Sequence, residues 1–118
     1  MPAIRSLALL LALALSPATA HAHAYLDRAS PRVGSTVKAA PSEVRMWFTQ
    51  PLEPKFTSAQ VRSSSGAVVG SGGVDAADPK QIVIRVNGLP AGSYKVFWKV
   101  LSVDTHRTEG SFGFQVKP

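Results

Sequence analysis

Asp104 and His106 stand two residues apart in SVDTHRTEG, and His21 and His23 follow an apolar run in ATAHAHA. A carboxylate and an imidazole at that spacing are a metal-ligand pair, one hard oxygen donor and one borderline nitrogen donor. The two upstream histidines gain meaning from what precedes them. The opening MPAIRSLALLLALALSPATAHAHA has a basic start at Arg5, an apolar run from Leu7 to Leu15 and an Ala-rich polar end, the pattern of a secretory signal peptide. The small-x-small rule allows cleavage after Ala20 or after Ala22, and either cut leaves a histidine as the first residue. The α-amine and Nδ1 of such a histidine can bind one metal together and close a six-membered chelate ring. Because an α-amine titrates at roughly 7.7 to 8.0, a metal displaces its proton easily near neutrality.

Amine, imidazole and carboxylate donors in a tetragonal arrangement suit Cu(II). Soft donors are scarce: there is no cysteine, and Met46 is the one methionine besides Met1. Sites that select Cu(I) through thiolate or clustered thioether are therefore not on offer. Two alternatives stay open at this level. Cleavage after Ala20 would make His23 the third residue of His21-Ala22-His23, which binds Cu(II) through the amine, two amides and the third imidazole, with little need for Asp104. Asp104 could also orient His106 instead of touching the metal, or serve as an ordinary turn-former.

The chain has 118 residues, so without its leader it falls at about a hundred, the size of one compact domain. No apolar stretch approaches the ~20 residues needed to span a bilayer, and the processed protein is expected to be soluble. Loss of Arg5 with the leader leaves twelve basic residues against seven acids, a formal net charge of +5. The basic residues are scattered singly along the chain, which argues against a nucleic-acid tract. The glycines from Gly70 to Gly73 lack a following Lys-Ser/Thr, so they do not form a phosphate loop. Ser63 to Ser65 read as a turn, and no Ser-His-Asp triad follows from the spacing.

The elements that must carry these residues are strands. Val44, Met46 and Phe48 alternate with Arg45, Trp47 and Thr49, the two-residue period of a half-buried strand. Ile82, Ile84 and Val86 repeat it, as do Tyr94, Val96, Trp98 and Val100, and then Phe112, Phe114 and Val116. Trp98 falls on the core face. Trp47 falls opposite Met46 and Phe48, either exposed or against a second sheet. Segment 56–62 alternates weakly and is expected to be an edge strand. Ala40-Pro41-Ser42, Ser63 to Gly66, the stretch from Gly70 to Lys80 and Leu89 to Gly92 read as turns or loops. Short strands with frequent turns predict an all-β fold, a two-sheet antiparallel sandwich of Greek-key type. Asp104 and His106 then sit in or beside the connection between the last two strands. Residues two apart in extended chain point the same way, so both could converge on one ion, with the N-terminal strand bringing a third ligand.

HAYLDRASPRVGSTVKAAPSEVRMWFTQPLEP and AGSYKVFWKVLSVDTHRTEGSFGF resemble the CopC family of periplasmic copper-binding proteins over essentially the whole processed chain. The most specific parts are the His-Ala-x-Leu start followed by Ser-Pro, and the pattern Ser102, Asp104, His106, Gly110, Phe114. The resemblance implies an immunoglobulin-like Greek-key β-sandwich and one Cu(II) site made by His23, through amine and ring, with Asp104 and His106. Its spacing from first histidine to Ser30-Pro31 selects cleavage after Ala22: a signal peptide over 1–22 and a copper-binding domain over 23–118. Some members add a Met-rich segment that holds Cu(I), and here that segment has Val61, Val68 and Val69 but no methionine. Kinship implies a periplasmic carrier or buffer in copper homeostasis and resistance, not an enzyme, serving a CopD-type inner-membrane importer. Two other classes compete: a small copper-dependent oxidative enzyme with an N-terminal histidine site, and a metal-free Ig-like interaction domain.

Overall fold

Alternating apolar residues become strands because every second side chain of an extended chain can enter one core. The computed structural model describes residues 24–118, and eight strands run through them. They are β1 (Leu26–Ser30), β2 (Thr36–Val37), β3 (Glu43–Phe48), β4 (Ser58–Ser63), β5 (Val68–Asp75), β6 (Asp78–Arg85), β7 (Gly92–Leu101) and β8 (Arg107–Val116). The one other element among them is a single 3₁₀ turn at Pro54–Phe56. No helix among the described residues is long and apolar enough to cross a membrane.

The strands form one hydrogen-bonded sheet in the order β1-β3-β6-β5-β4-β7-β8-β2. β4, β5 and β6 follow one another as antiparallel neighbours, and β7 then returns to pair with β4. The spatial order β7-β4-β5-β6 is the Greek key. The sheet curls so that its two halves face each other: Phe48 of β3 meets Trp98 of β7 edge to face, ring centroids 5.2 Å apart, although three strands, β6, β5 and β4, lie between their elements in pairing order. The fold is thus the expected all-β Greek-key sandwich. Its core holds Val44, Met46, Ile82, Ile84, Val96 and Phe114, with Trp98 on the same side. Truncating one such aliphatic residue to alanine typically costs about 2–5 kcal/mol, so this core is a substantial source of stability without any metal. Tyr94 closes one corner, its hydroxyl donating to the carbonyl of Pro90 at 2.5 Å, a recurrent lock in such sandwiches.

Three local expectations are corrected. β4 lies between β5 and β7, not at an edge; its weak alternation reflects small side chains, Ser58 and Ala59, against a close neighbour. The Gly70-to-Lys80 stretch is mostly strand, with only Ala76 and Ala77 between the paired Asp75 and Asp78. Glycine is there for close approach: a Cβ on Gly72 would lie 2.0 Å from the carbonyl oxygen of Val83. Finally, β2 pairs with β8 in parallel, the one exception among otherwise antiparallel strand pairs. Trp47 takes the exposed alternative in part: it is half-buried on the outer face, under the guanidinium of Arg28 at 4.3 Å.

Candidate metal centre

Asp104 and His106 occupy the tight connection between β7 and β8, the longest hairpin of the fold. The last strand pair is Leu101 with Arg107, and beyond it the N–H of Ser102 donates to the carbonyl of His106 at 2.9 Å. Inside that pair the N–H of Thr105 donates back to the carbonyl of Ser102 at 2.9 Å. Thr105 has φ 73°. Three loop residues with the last in the left-handed region are a common hairpin closure, in which glycine or asparagine usually holds the strained position.

This turn brings the two sequence-predicted donors together. His106 Nδ1 lies 3.3 Å from Asp104 Oδ1, and both side chains are 40% exposed. The convergence does not come from an extended segment, as the two-residue spacing suggested; the turn at Thr105 folds the carboxylate back toward the imidazole. His106 itself enters β8 with the same parity as Thr108, Gly110, Phe112 and Phe114, the residues of the inward face. The pair therefore opens at one end of the sandwich on its core side.

Ser102, fully buried, organises the turn. Its hydroxyl donates to Asp104 Oδ1 and accepts from the N–H of His106 at 3.3 Å. The Ser102 hydroxyl foremost holds the Asp104 carboxyl below the usual carboxylate range; partial burial opposes it, and His106 adds a lesser lowering. The carboxylate is accordingly ionised at neutral pH, ready to orient an imidazole or to face a cation.

The third expected ligand, His23, lies outside the described residues. The chain just after it is firmly held. Ala24 is fully buried, and its carbonyl accepts from the Thr108 hydroxyl at 2.7 Å. The N–H of Tyr25 donates to Thr49 Oγ1 at 3.0 Å, and the N–H of Thr49 donates to the Tyr25 carbonyl at 3.0 Å. Among the described residues no three His, Asp or Glu side chains gather into a metal-sized cluster; the hairpin supplies two donors. Reading the sequence for ligands alone overlooked Thr108. Its signal was parity, since it stands two residues beyond His106 on a strand and so shares its face.

An all-β Greek-key sandwich with an ionised carboxylate and an imidazole at the end of its longest hairpin defines a class of small β-domain with a candidate metal site. The CopC domain family matches residues 26–117, and the chain belongs to that family. It is similar to Copper resistance protein C of Escherichia coli, 35% identical over an alignment of 101 residues that covers 78% of this chain and 79% of that protein. Among solved structures it is similar to CopC from Methylosinus trichosporium OB3b, with TM-score 0.76, 34% identity, and coverage of 81% of this chain and 95% of that one. It is also similar to PcoC, described as a methionine-rich copper resistance protein from Escherichia coli, with TM-score 0.72 and 36% identity over 81% of this chain and all of that one.

Proposed function

We propose that this protein is a periplasmic carrier or buffer of Cu(II) in copper homeostasis and resistance, exported by a leader over 1–22 and acting as a domain over 23–118. The cargo ion is held by the α-amine and ring of His23, by His106 and by Asp104, and the acceptor that fits this role is a CopD-type inner-membrane importer. The observation that carries the reading is the anchoring of Ala24 to Thr108, two residues from His106 on the same face of β8. This supports a ligand contributed by the residue that precedes Ala24, whose α-carbon is one peptide unit, ~3.8 Å, from that of Ala24.

Within this site His106 would meet copper through Nε2, since Nδ1 is turned toward Asp104 Oδ1. Asp104 would offer Oδ2, its other oxygen being engaged by Ser102 and His106. Copper(II) is favoured over copper(I) because the donors are nitrogen and oxygen. The one methionine beyond Met1, Met46, is fully buried in the core and out of reach of a surface ion. The relatives' copper names and the family membership agree with this cargo. The protein binds and releases its ion without chemical change, so it is a carrier and not an enzyme.

The test is electron paramagnetic resonance of the exported protein titrated with Cu(II), together with its intact mass. The reading expects a chain beginning at His23, saturation at one equivalent, tetragonal parameters and nitrogen hyperfine structure. Adding one residue before His23 should abolish that signal, and ascorbate with a Cu(I) chelator should strip the metal. Unchanged binding by the extended chain would overturn the proposed ligand set.

A further inference from the structure

The basic residues that are scattered singly along the sequence are gathered by the fold. On the outer face of β4, β7 and β8, Arg62, Lys95, Lys99 and Arg107 stand with Lys55 of the 3₁₀ turn, and the only acid among them is Glu109. The outer face of β1, β3, β5 and β6 is balanced instead. Arg28, Arg45 and Arg85 share it with Glu43, Asp75 and Asp78, and Arg45 is paired with Glu43 at 3.2 Å and with Asp75 at 2.8 Å. The first face therefore carries a formal +4 and the second none, so one side of the sandwich holds most of the molecule's positive charge. Among the described residues none of Lys55, Lys95, Lys99 and Arg107 has an ion-pair partner.

That face is concave and has an aromatic floor. A depression of about 460 Å³ lies over Gln60, Arg62, Phe97, Lys99 and Glu109. Beside it a second, of about 510 Å³, is bordered by Lys55, Phe56, Lys99 and Arg107. Phe97 is 36% exposed, with the Arg62 guanidinium 4.9 Å and the Lys95 ammonium 6.0 Å from its ring centre. Phe56, at 60% exposure, stands at the edge of the second depression. Exposed aromatics ringed by unpaired cations are the composition of an interface centre and its steering rim.

We propose that the Phe97 face of β4, β7 and β8 is a docking surface for a partner protein that presents a carboxylate-rich segment carrying an aromatic or aliphatic side chain. The carboxylates would meet Lys95, Lys99 and Arg107, and the apolar side chain would fill the depression over Phe97. A protein suits this shape better than a bilayer does, because depressions in a strand face receive side chains, whereas a planar surface would bridge across them. Arg107 directly follows His106 in the chain, so a partner docked here lies against the hairpin that carries the candidate ligands. Charge and shape alone define this surface, whether or not the hairpin beside it holds copper.

The experiment uses the metal-free, ¹⁵N-labelled exported protein and a synthetic peptide of six glutamates around a central tyrosine, at low and at physiological salt. Amide shifts should be confined to β4, β7, β8 and the Pro54–Phe56 turn, and should weaken as salt rises. Lys95→Glu combined with Lys99→Glu should lower the affinity by about tenfold or more, while Arg85→Glu on the opposite face stays within about twofold. Thermal midpoints of both variants should stay within a few degrees of the parent and of each other, since these side chains are exposed and each variant sets one new carboxylate across from an existing one, Glu109 or Glu43. Three results overturn the proposal: no shifts, shifts spread equally over the Arg28 and Arg85 face, or equal losses in both variants. A fourth is tighter binding to phosphatidylglycerol vesicles than to the peptide with the same dependence on Lys95 and Lys99, which would assign the face to a membrane.

Discussion

The Thr108 hydroxyl donates to the carbonyl of Ala24 at 2.7 Å and so ties the start of the described chain to β8, two residues beyond His106. Eighty-four residues separate the two in sequence, and closing such a span fixes a terminus that would otherwise fray. Replacing Thr108 with valine keeps the shape and removes the donor. Thr108→Val should lower Cu(II) affinity by roughly tenfold, within the range seen when groups that support a ligand are removed. The thermal midpoint should fall only by the few degrees expected for about one lost hydrogen bond. Competition against a Cu(II) chelator, beside a melting curve, reads both. Unchanged affinity would mean that the terminus finds the hairpin without this anchor.

Ser102 acts from inside the hairpin. Its buried hydroxyl serves Asp104 as donor and the N–H of His106 as acceptor, so Ser102→Ala leaves two partners unserved in one step. Leaving a buried polar group unsatisfied costs about 1–3 kcal/mol, and the expected loss in thermal midpoint is larger than for Thr108→Val. Asp104 should titrate closer to an ordinary carboxylate, because its main stabilising donor is gone. Its carboxyl carbon resonance followed by NMR against pH should move its midpoint upward; a midpoint that stays put would remove Ser102 from the role given to it here.

The strands of the core were legible because their alternation is strong: Val44, Met46 and Phe48, or Tyr94, Val96, Trp98 and Val100, can bury one face only as strands. β4 and β5 were not legible as interior strands. Ser58, Ala59, Gly70, Gly72 and Gly73 carry too little side chain to reveal a period, and their role, letting backbones approach closely, appears only in the folded chain. The hairpin donors were visible as residue types, whereas their orienting groups were not. Serine and threonine are too common to single out until the turn puts Ser102 under Asp104 and the strand puts Thr108 beside Ala24.

Thr105 holds φ 73°, a left-handed conformation that a β-branched residue adopts at a cost. Glycine takes it without steric penalty, although the unfolded chain then loses more freedom on folding. The balance predicts that Thr105→Gly stabilises the protein by roughly 1 kcal/mol, a rise of about 4–8 °C in thermal midpoint for a domain of this size. The main-chain path of the hairpin is kept, so Cu(II) affinity should change by no more than about twofold on that reasoning. A lower midpoint, measured calorimetrically, would show that the Thr105 hydroxyl, which donates to the Asp104 carbonyl at 2.5 Å, outweighs the strain.

The turn between β5 and β6 makes part of the fold's stability depend on acid pH. Asp75 accepts from the N–H of Ala77 at 3.1 Å and from Arg45 at 2.8 Å, and these, the backbone donor first, hold its carboxyl below the ordinary value of 3.8. Asp78 is lowered in the same direction by the N–H of Lys80 and by Gln81. A carboxylate whose folded pKa is depressed adds stability that is complete above its unfolded value and is lost as pH falls through the folded one. Stability from this turn should therefore be flat down to about pH 5 and decline below about pH 4. Asp75→Asn keeps an oxygen for Ala77 but loses the charge that faces Arg45. The variant should be less stable than the parent at pH 7, lose less on acidification, and converge with it below the depressed pKa. Urea unfolding at pH 7, 4 and 2.5 separates the cases. A constant gap between the two proteins at all three values would mean that Asp75 acts through shape and not through its charge.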